Sequence, residues 1–342
     1  MSHASSSMRR TVDDVADDDA PVRLPHLEFD GADVRFLGEV LDPGAVPPDA
    51  VPLWESCDGS RPLSSWPEAA RERILRWHAA GLVVAARPVR RCPAAPLTVV
   101  APHPDDAQLA LGAVLSTRGG RVLDVFSEET WTRRPYYQQR PALAAELLVA
   151  EERVACQVLR AQVALLGHVD GEARPAWRDG FFLDPDDDNR CAEREPELIE
   201  RVVEDLAVEL SADTIVLAPL AVGGHVDHVV TREAVGMLVA RGDLDPGRLG
   251  YYEDMPYAVF SDPVRAAGHV ADRTGVPLHA LSVPATSDAA RHKREALRCY
   301  RLQVPDGLAR RVVRYGARLS DAVFTERLWV ASPDGPVAAL LG

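Results

Sequence analysis

The sequence predicts an α/β protein: a Rossmann-like, mostly parallel sheet with helices on both faces, preceded by a small N-terminal α+β winged-helix-like unit. Three observations lead there. From residue 97 onward, short runs of Val, Leu and Ala alternate with longer helical patterns, as in parallel strands covered on both sides. Two of those runs lead into loops that carry His and Asp immediately ahead of a helix. Arg87 to Pro96, with its Arg-Pro, Cys-Pro and Ala-Pro pairs, reads as a linker between this region and the patterned sequence before it.

Taken in order, residues 1–22 hold Ser, Asp and Ala without periodic apolar positions and are expected to form a disordered acidic tail. Residues 23–92 form the small unit. There Leu27, Phe29, Val34, Phe36 and Leu37 are strand or edge material, and a helix with Pro67 at its first position buries Ala70, Ile74, Leu75 and Trp77 before ending at Gly81. Leu82-Val-Val-Ala closes it as a strand. Within residues 93–342, strands are expected over Leu97–Ala101, Val122–Phe126, Val163–Leu166 and Thr214–Pro219. The intervening helices cover Asp106–Arg118, Ala142–Leu159, Glu195–Glu209 and Val229–Arg241. An acidic run, Asp184 to Asp188 around Pro185, reads as a solvated loop.

Composition limits the functions available. The 342 residues carry 52 acidic against 38 basic side chains, a net charge of −14, so a broad phosphate-neutralising face is not expected and nucleic acid is not a predicted partner. Neither a secretory leader nor an 18-residue apolar span is found; the expectation is a cytoplasmic chain with no membrane attachment. The five cysteines, Cys57, Cys92, Cys156, Cys191 and Cys299, are odd in number and contain no CxxC pair, which argues against a disulfide framework or a thiolate zinc site.

Chemistry concentrates in Pro102-His103-Pro104-Asp105-Asp106 and Gly224-His225-Val226-Asp227-His228. In an open parallel sheet, loops from the carboxyl ends of neighbouring strands converge, so these two could share a pocket. Imidazole nitrogen and carboxylate oxygen suit Zn2+, and a catalytic site supplies three protein ligands with one position open to water. His103, Asp106 and His228 provide such a set, and Asp105 stays beside it, free to take a proton from water. Asp105 and Asp106 alone would read as helix N-caps. The two motifs together are harder to explain that way, because neither histidine is needed for capping.

These residues carry a resemblance. The His103-Pro-Asp-Asp106 motif after an apolar strand, followed by His225-Val-Asp-His228, resembles the PIG-L or LmbE-like family of zinc-dependent N-deacetylases over about residues 97–335. Lesser matches are Glu151-Glu152, Tyr252-Glu-Asp-Met-Pro-Tyr257, Lys293 to Tyr300, and Glu326 near Trp329. The resemblance implies His103, Asp106 and His228 as metal ligands, with Zn2+ expected and Fe2+ the alternative. It implies Asp105 as general base, His225 as donor to the oxyanion or to the leaving amine, and Asp227 as the residue orienting His225. The chain departs from the family at Ala107, where many members have Glu, and at Leu148 or Val149, where many have a substrate-holding arginine. Arg133, Arg134 and Arg140 are candidates to replace that arginine, and Tyr257 is a candidate for the pocket rim.

The predicted activity is hydrolysis of an acyl group from a small acylated amine, an amino sugar or a specialised metabolite. Two rivals stand beside it. Two histidines and one carboxylate are also the ligands of non-haem Fe(II) oxygenases. A non-catalytic scaffold is the other rival, with residues 23–92 binding a peptide as the PqqD-related winged-helix modules do.

Overall fold

The structure, a computed structural model, describes residues 15–30, 33–42, 44–87, 97–184, 189–321 and 323–342. Most of the expected tail, most of the linker and residues 185–188 of the acidic run lie outside these. The chain divides into two compact units, Met1–Arg91 and Cys92–Gly342.

The smaller unit is α+β. Its strands are β1 (Ala20–Arg23), β2 (Leu27–Asp30), β3 (Asp33–Phe36), β4 (Glu39–Val40) and, after helices α1 (Val51–Glu55) and α2 (Glu68–Ala80), β5 (Val83–Ala86). β1 and β5 pair antiparallel, and β2-β3-β4 form a separate antiparallel sheet. The expected tail is thus too long at its end. Ala20 and Val22 are buried and register with Ala86 and Val84 across the β1–β5 ladder, because the acidic run stops at Asp19 and the apolar strand begins there. Pro67 sits one residue ahead of α2 rather than inside it. Gly81 closes α2 in the left-handed conformation at φ 80°, its N–H donating to the carbonyls of His78 and Trp77. Trp77, on the buried face, packs edge-on against Trp54 and donates its indole N–H to the Ala45 carbonyl at 2.8 Å.

The larger unit runs β6 (Leu97–Ala101), α3 (Asp106–Arg118), β7 (Gly120–Asp124), α4 (Pro135–Gln138), α5 (Pro141–Leu159), β8 (Ala161–Leu165), α6 (Asn189–Arg194), α7 (Pro196–Glu209), β9 (Ile215–Pro219), α8 (Val226–Arg241), β10 (Leu249–Tyr252), α9 (Pro263–Thr274), β11 (His279–Ala285), α10 (Ser287–Leu297), α11 (Asp306–Gly316), β12 (Phe324–Val330) and α12 (Pro336–Leu341). Its sheet has the order β11-β12-β10-β9-β6-β7-β8. The five strands from β10 to β8 are mutually parallel; β12 and β11 extend the sheet antiparallel. β6 and β9 are wholly buried, which is why they read as unbroken apolar runs rather than alternating ones. The chain leaves β6 toward β7 and β8 on one side, and later enters β9 and goes on to β10 on the other. The crevice at the carboxyl ends of β6 and β9 is therefore the topological switch point, where ligands bind in such sheets.

The strand expected at Val122–Phe126 lies two residues earlier, as β7, and leaves Val125 and Phe126 in the loop. The helix expected from Val229 begins at Val226, so His228 occupies its first turn. The cause is a cap that sequence patterning did not anticipate: His225 is the N-cap of α8, its Nδ1 accepting the Asp227 N–H at 3.3 Å.

Helix α3 is bent at Leu111 (φ −122°, ψ 21°), which frees amides in its middle. Glu326 on β12 accepts the N–H groups of Ala113 at 3.0 Å and Val114 at 2.8 Å, while Lys293 on α10 donates to Glu326 at 2.6 Å and to the Ala110 carbonyl at 3.1 Å. Gly112 lets α10 come this close: a Cβ there would lie 2.7 Å from Lys293 Cγ. The described cysteines, Cys57, Cys156, Cys191 and Cys299, are all buried, and none of them forms a disulfide with another described residue. No helix among the described residues is long and apolar enough to cross a membrane.

Candidate metal centre

The two His-Asp loops meet at the switch point. Asp106 Oδ2 lies 3.2 Å from His103 Nδ1 and 3.3 Å from His228 Nε2, and it also accepts the His103 backbone N–H at 3.0 Å. All three expected ligand residues therefore face one point. Each imidazole is held from behind by a buried carboxylate: His103 Nε2 by Asp227 Oδ2 at 2.9 Å, His228 Nδ1 by Asp254 Oδ1 at 2.6 Å. A proton on each anchored nitrogen leaves the other nitrogen's lone pair directed at Asp106, the arrangement that fixes a metal-binding tautomer.

His228 Nε2 is buried and has no hydrogen-bond partner among the described residues. Two imidazole nitrogens and a carboxylate oxygen facing one another form a donor set that fits a divalent cation. Within the same cluster, ligand atoms of His103, His225 and His228 lie within 4.8 Å of one another, as do those of His103, Asp170 and Asp227. Asp227 is already engaged elsewhere, by the Gly171 N–H at 2.8 Å and the Arg174 guanidinium at 2.5 Å.

Burial opposes charge throughout, and the neighbours decide the outcome. For Asp106, His228 and His103 outweigh burial and hold its carboxyl below the usual range. Burial likewise opposes charge on His103, but Asp106, Asp227 and Asp170 raise its pKa well above normal. His225 goes the other way, pushed well below normal by burial and by His103, so it is neutral. Its Nδ1 accepts a backbone N–H, which places its own proton on Nε2.

Asp105 stands at the N-cap position of α3 but makes no capping hydrogen bond. Its φ of 100° is a strained value for a non-glycine residue, of the kind that clusters at functional sites. The backbone is held there by Glu152 on α5, which accepts the Asp105 N–H at 3.1 Å and is itself pinned by Gln108 at 2.7 Å and by the Tyr300 hydroxyl at 2.5 Å. Burial, then Asp106 and Glu129, raise the Asp105 pKa well above the carboxylate range.

Two expectations are corrected. Asp227 does not orient His225 through its carboxylate, which is turned to His103 and Arg174; only its backbone N–H touches His225. His225 is needed for capping after all, as the start of α8 demands. Of the candidate substrate residues, Tyr257 packs edge-on to His228, with ring centroids 5.4 Å apart. Arg134 donates to the Arg301 carbonyl and Arg140 to the Tyr136 carbonyl, so both brace the chain after β7. Arg133 is exposed and lies over the Trp131 ring.

Sequence reasoning missed Asp170 and Arg174, which follow β8, and Glu129, which follows β7. Asp170 Oδ2 is 3.4 Å from His103 Nε2. Burial pushes the Glu129 pKa up to about 8. The missed signal was positional: β7 and β8 end on the same edge as β6, so acids in their following loops belonged on the candidate list.

Comparison with known proteins finds relatives of this chain. Residues 98–239 match the family model described as PIG-L: GlcNAc-PI de-N-acetylase. The chain is 29% identical over 270 residues to 2'-N-acetylparomamine deacetylase of Streptomyces fradiae, covering 69% of this chain and 90% of that protein. Among solved structures, a deacetylase of the teicoplanin biosynthesis pathway superposes with a TM-score of 0.51 at 20% identity, over 68% of this chain and 96% of the other. The A40926 pseudoaglycone deacetylase gives a TM-score of 0.50 at 21% identity, over 70% of this chain and 97% of the other.

Proposed function

We propose that the protein hydrolyses the N-acetyl group of an amino sugar in a biosynthetic pathway, using a divalent cation held by His103, Asp106 and His228; the match of residues 98–239 to the PIG-L family model and the likeness to a deacetylase support this. The observation that carries this reading is the buried, unpartnered Nε2 of His228 facing the Asp106 carboxylate and the His103 ring. Bound there, Zn2+ or Fe2+ would supply Lewis acidity to an amide carbonyl and to a water molecule.

The remaining steps fall to the chain. Asp105, which has no cap to make, takes the proton of the attacking water and returns it to the departing amine. His225, neutral and protonated on Nε2, donates a hydrogen bond to the oxygen that gains charge as the carbonyl carbon becomes tetrahedral. Asp227 and Asp254 fix the rings of His103 and His228, and Arg174 keeps Asp227 in place. Collapse of the tetrahedral carbon releases acetate and the free amine. The test is acetate release from a panel of N-acetylated amino sugars by metal-reconstituted protein. Release from at least one supports the reading, and no release from any member overturns it.

A further inference from the structure

Resting on that reading of the site, we propose that Phe182 recognises the sugar: its exposed ring stacks on the C–H face of the pyranose that bears the acylated amine. The substrate is then held by its ring as well as by its amide.

Single exposed aromatic side chains are common on protein surfaces and mean little alone. Phe182 is 53% exposed, yet it is bound into the site. Its ring centroid lies 5.2 Å from that of His225 and 5.8 Å from that of Tyr257, both contacts being near perpendicular. Tyr257 packs edge-on against His228 at 5.4 Å, and His225 packs edge-on against His103 at 4.9 Å. Phe182 is thus one side chain removed from the histidine rings that face the amide, which is where the sugar ring attached to that amide belongs. Phenylalanine has no polar atom with which to read hydroxyls. What its ring can read is the polarised C–H face of a pyranose, which an acyclic amide lacks.

The backbone is built to put the ring there. Phe182 and His225 form an antiparallel bridge, in which the Leu183 N–H donates to the Gly224 carbonyl at 2.7 Å and the Val226 N–H to the Phe181 carbonyl at 2.9 Å. This approach depends on the two glycines ahead of His225. A Cβ on Gly224, whose φ is 70°, would lie 2.0 Å from the Leu183 carbonyl oxygen, and one on Gly223 would lie 2.9 Å from the Tyr257 side chain. Gly223-Gly224 therefore makes room for both aromatic segments beside the same histidine. Asp184 then pairs with Arg265 at 3.2 Å, tying the end of the Phe182 segment to α9.

The experiment follows acetate release from the methyl glycoside of N-acetylglucosamine by metal-reconstituted native protein and by Phe182→Ala, Phe182→Leu and Phe182→Tyr. Phe182→Ala is expected to raise KM about tenfold with kcat within about twofold of native, as for a contact made equally before and during reaction. Phe182→Tyr, which keeps an aromatic face, should restore KM to within about twofold, whereas Phe182→Leu, which keeps only apolar bulk, should not. An unchanged KM in Phe182→Ala, a fall in kcat alone, or full rescue by leucine overturns the stacking role while leaving the deacetylase intact. If the native protein releases no acetate, the hydrolase reading fails for this probe, and the stacking role is decided separately by calorimetric binding of the same glycoside. Binding about tenfold weaker in Phe182→Ala supports it; equal binding, or none in the native protein, overturns it. Should Phe182→Ala not fold, as read from its melting curve, the tyrosine and leucine variants decide alone: native KM in the first with about a tenfold rise in the second supports the role, and equal values overturn it.

Discussion

Two buried charged clusters touch α3, one at its bent middle and one at its start, and they differ in how they are closed. At the middle of the helix, both carboxylate oxygens of Glu326 accept backbone amides of α3, and Lys293 donates to Glu326 and to the Ala110 carbonyl. In front, at the mouth of β6 and β9, His228 Nε2, Glu129 Oε2 and both oxygens of Asp124 are buried without partners among the described residues. Evenly buried charge can therefore serve opposite ends. A closed network stabilises one bend of one helix, whereas an open one holds donor atoms ready for something the polypeptide does not itself provide.

The contrast sharpens first at Asp105. Asp105→Asn keeps the size of the side chain and the strained turn but removes the base, so kcat should fall by about 10²- to 10⁴-fold while the melting temperature stays near that of the native protein. Acetate assays paired with calorimetry check this; a large fall in melting temperature would mean that Asp105 is structural.

Removing charge from the closed cluster should do the reverse. Lys293→Met leaves Glu326 buried and uncompensated, at a cost of about 3 to 5 kcal/mol in denaturant unfolding, with metal content per folded chain unchanged. A variant that unfolds normally but loses metal would erase the distinction between the two clusters.

The smallest effect is expected at Asp254, which touches His228 only from behind. Asp254→Asn should weaken metal affinity about 10- to 100-fold by loosening the ring and its tautomer, as measured by competition with a chelator. An unchanged affinity would take Asp254 out of the site.

How much of this could be read in the sequence depended on whether a local pattern carried the information. β6, β9, α3 and α5 were legible because burial on both faces, or a helical period with a defined end, writes itself into consecutive residues. The convergence of the two His-Asp loops was legible because both loops follow such strands. The tail was read as running too far because Ala20 and Val22 gain their burial from β5, more than sixty residues away in the sequence. The start of α8 was missed since histidine is an unusual cap. The role of Asp227 was misassigned because its neighbour in sequence is His225 while its neighbour in space is His103, across 124 positions. Glu129 and Asp170 carried no motif, and only the strand order places them beside the site.

The central claim is that His103, Asp106 and His228 converge to hold one divalent cation. Elemental analysis of the purified, reconstituted native protein beside His228→Ala tests it most directly. The account predicts about one bound ion per chain in the native protein and a loss of most of it in His228→Ala, with both proteins folded. A native protein that binds no stoichiometric ion, or a His228→Ala variant that binds as much as the native chain, would contradict it.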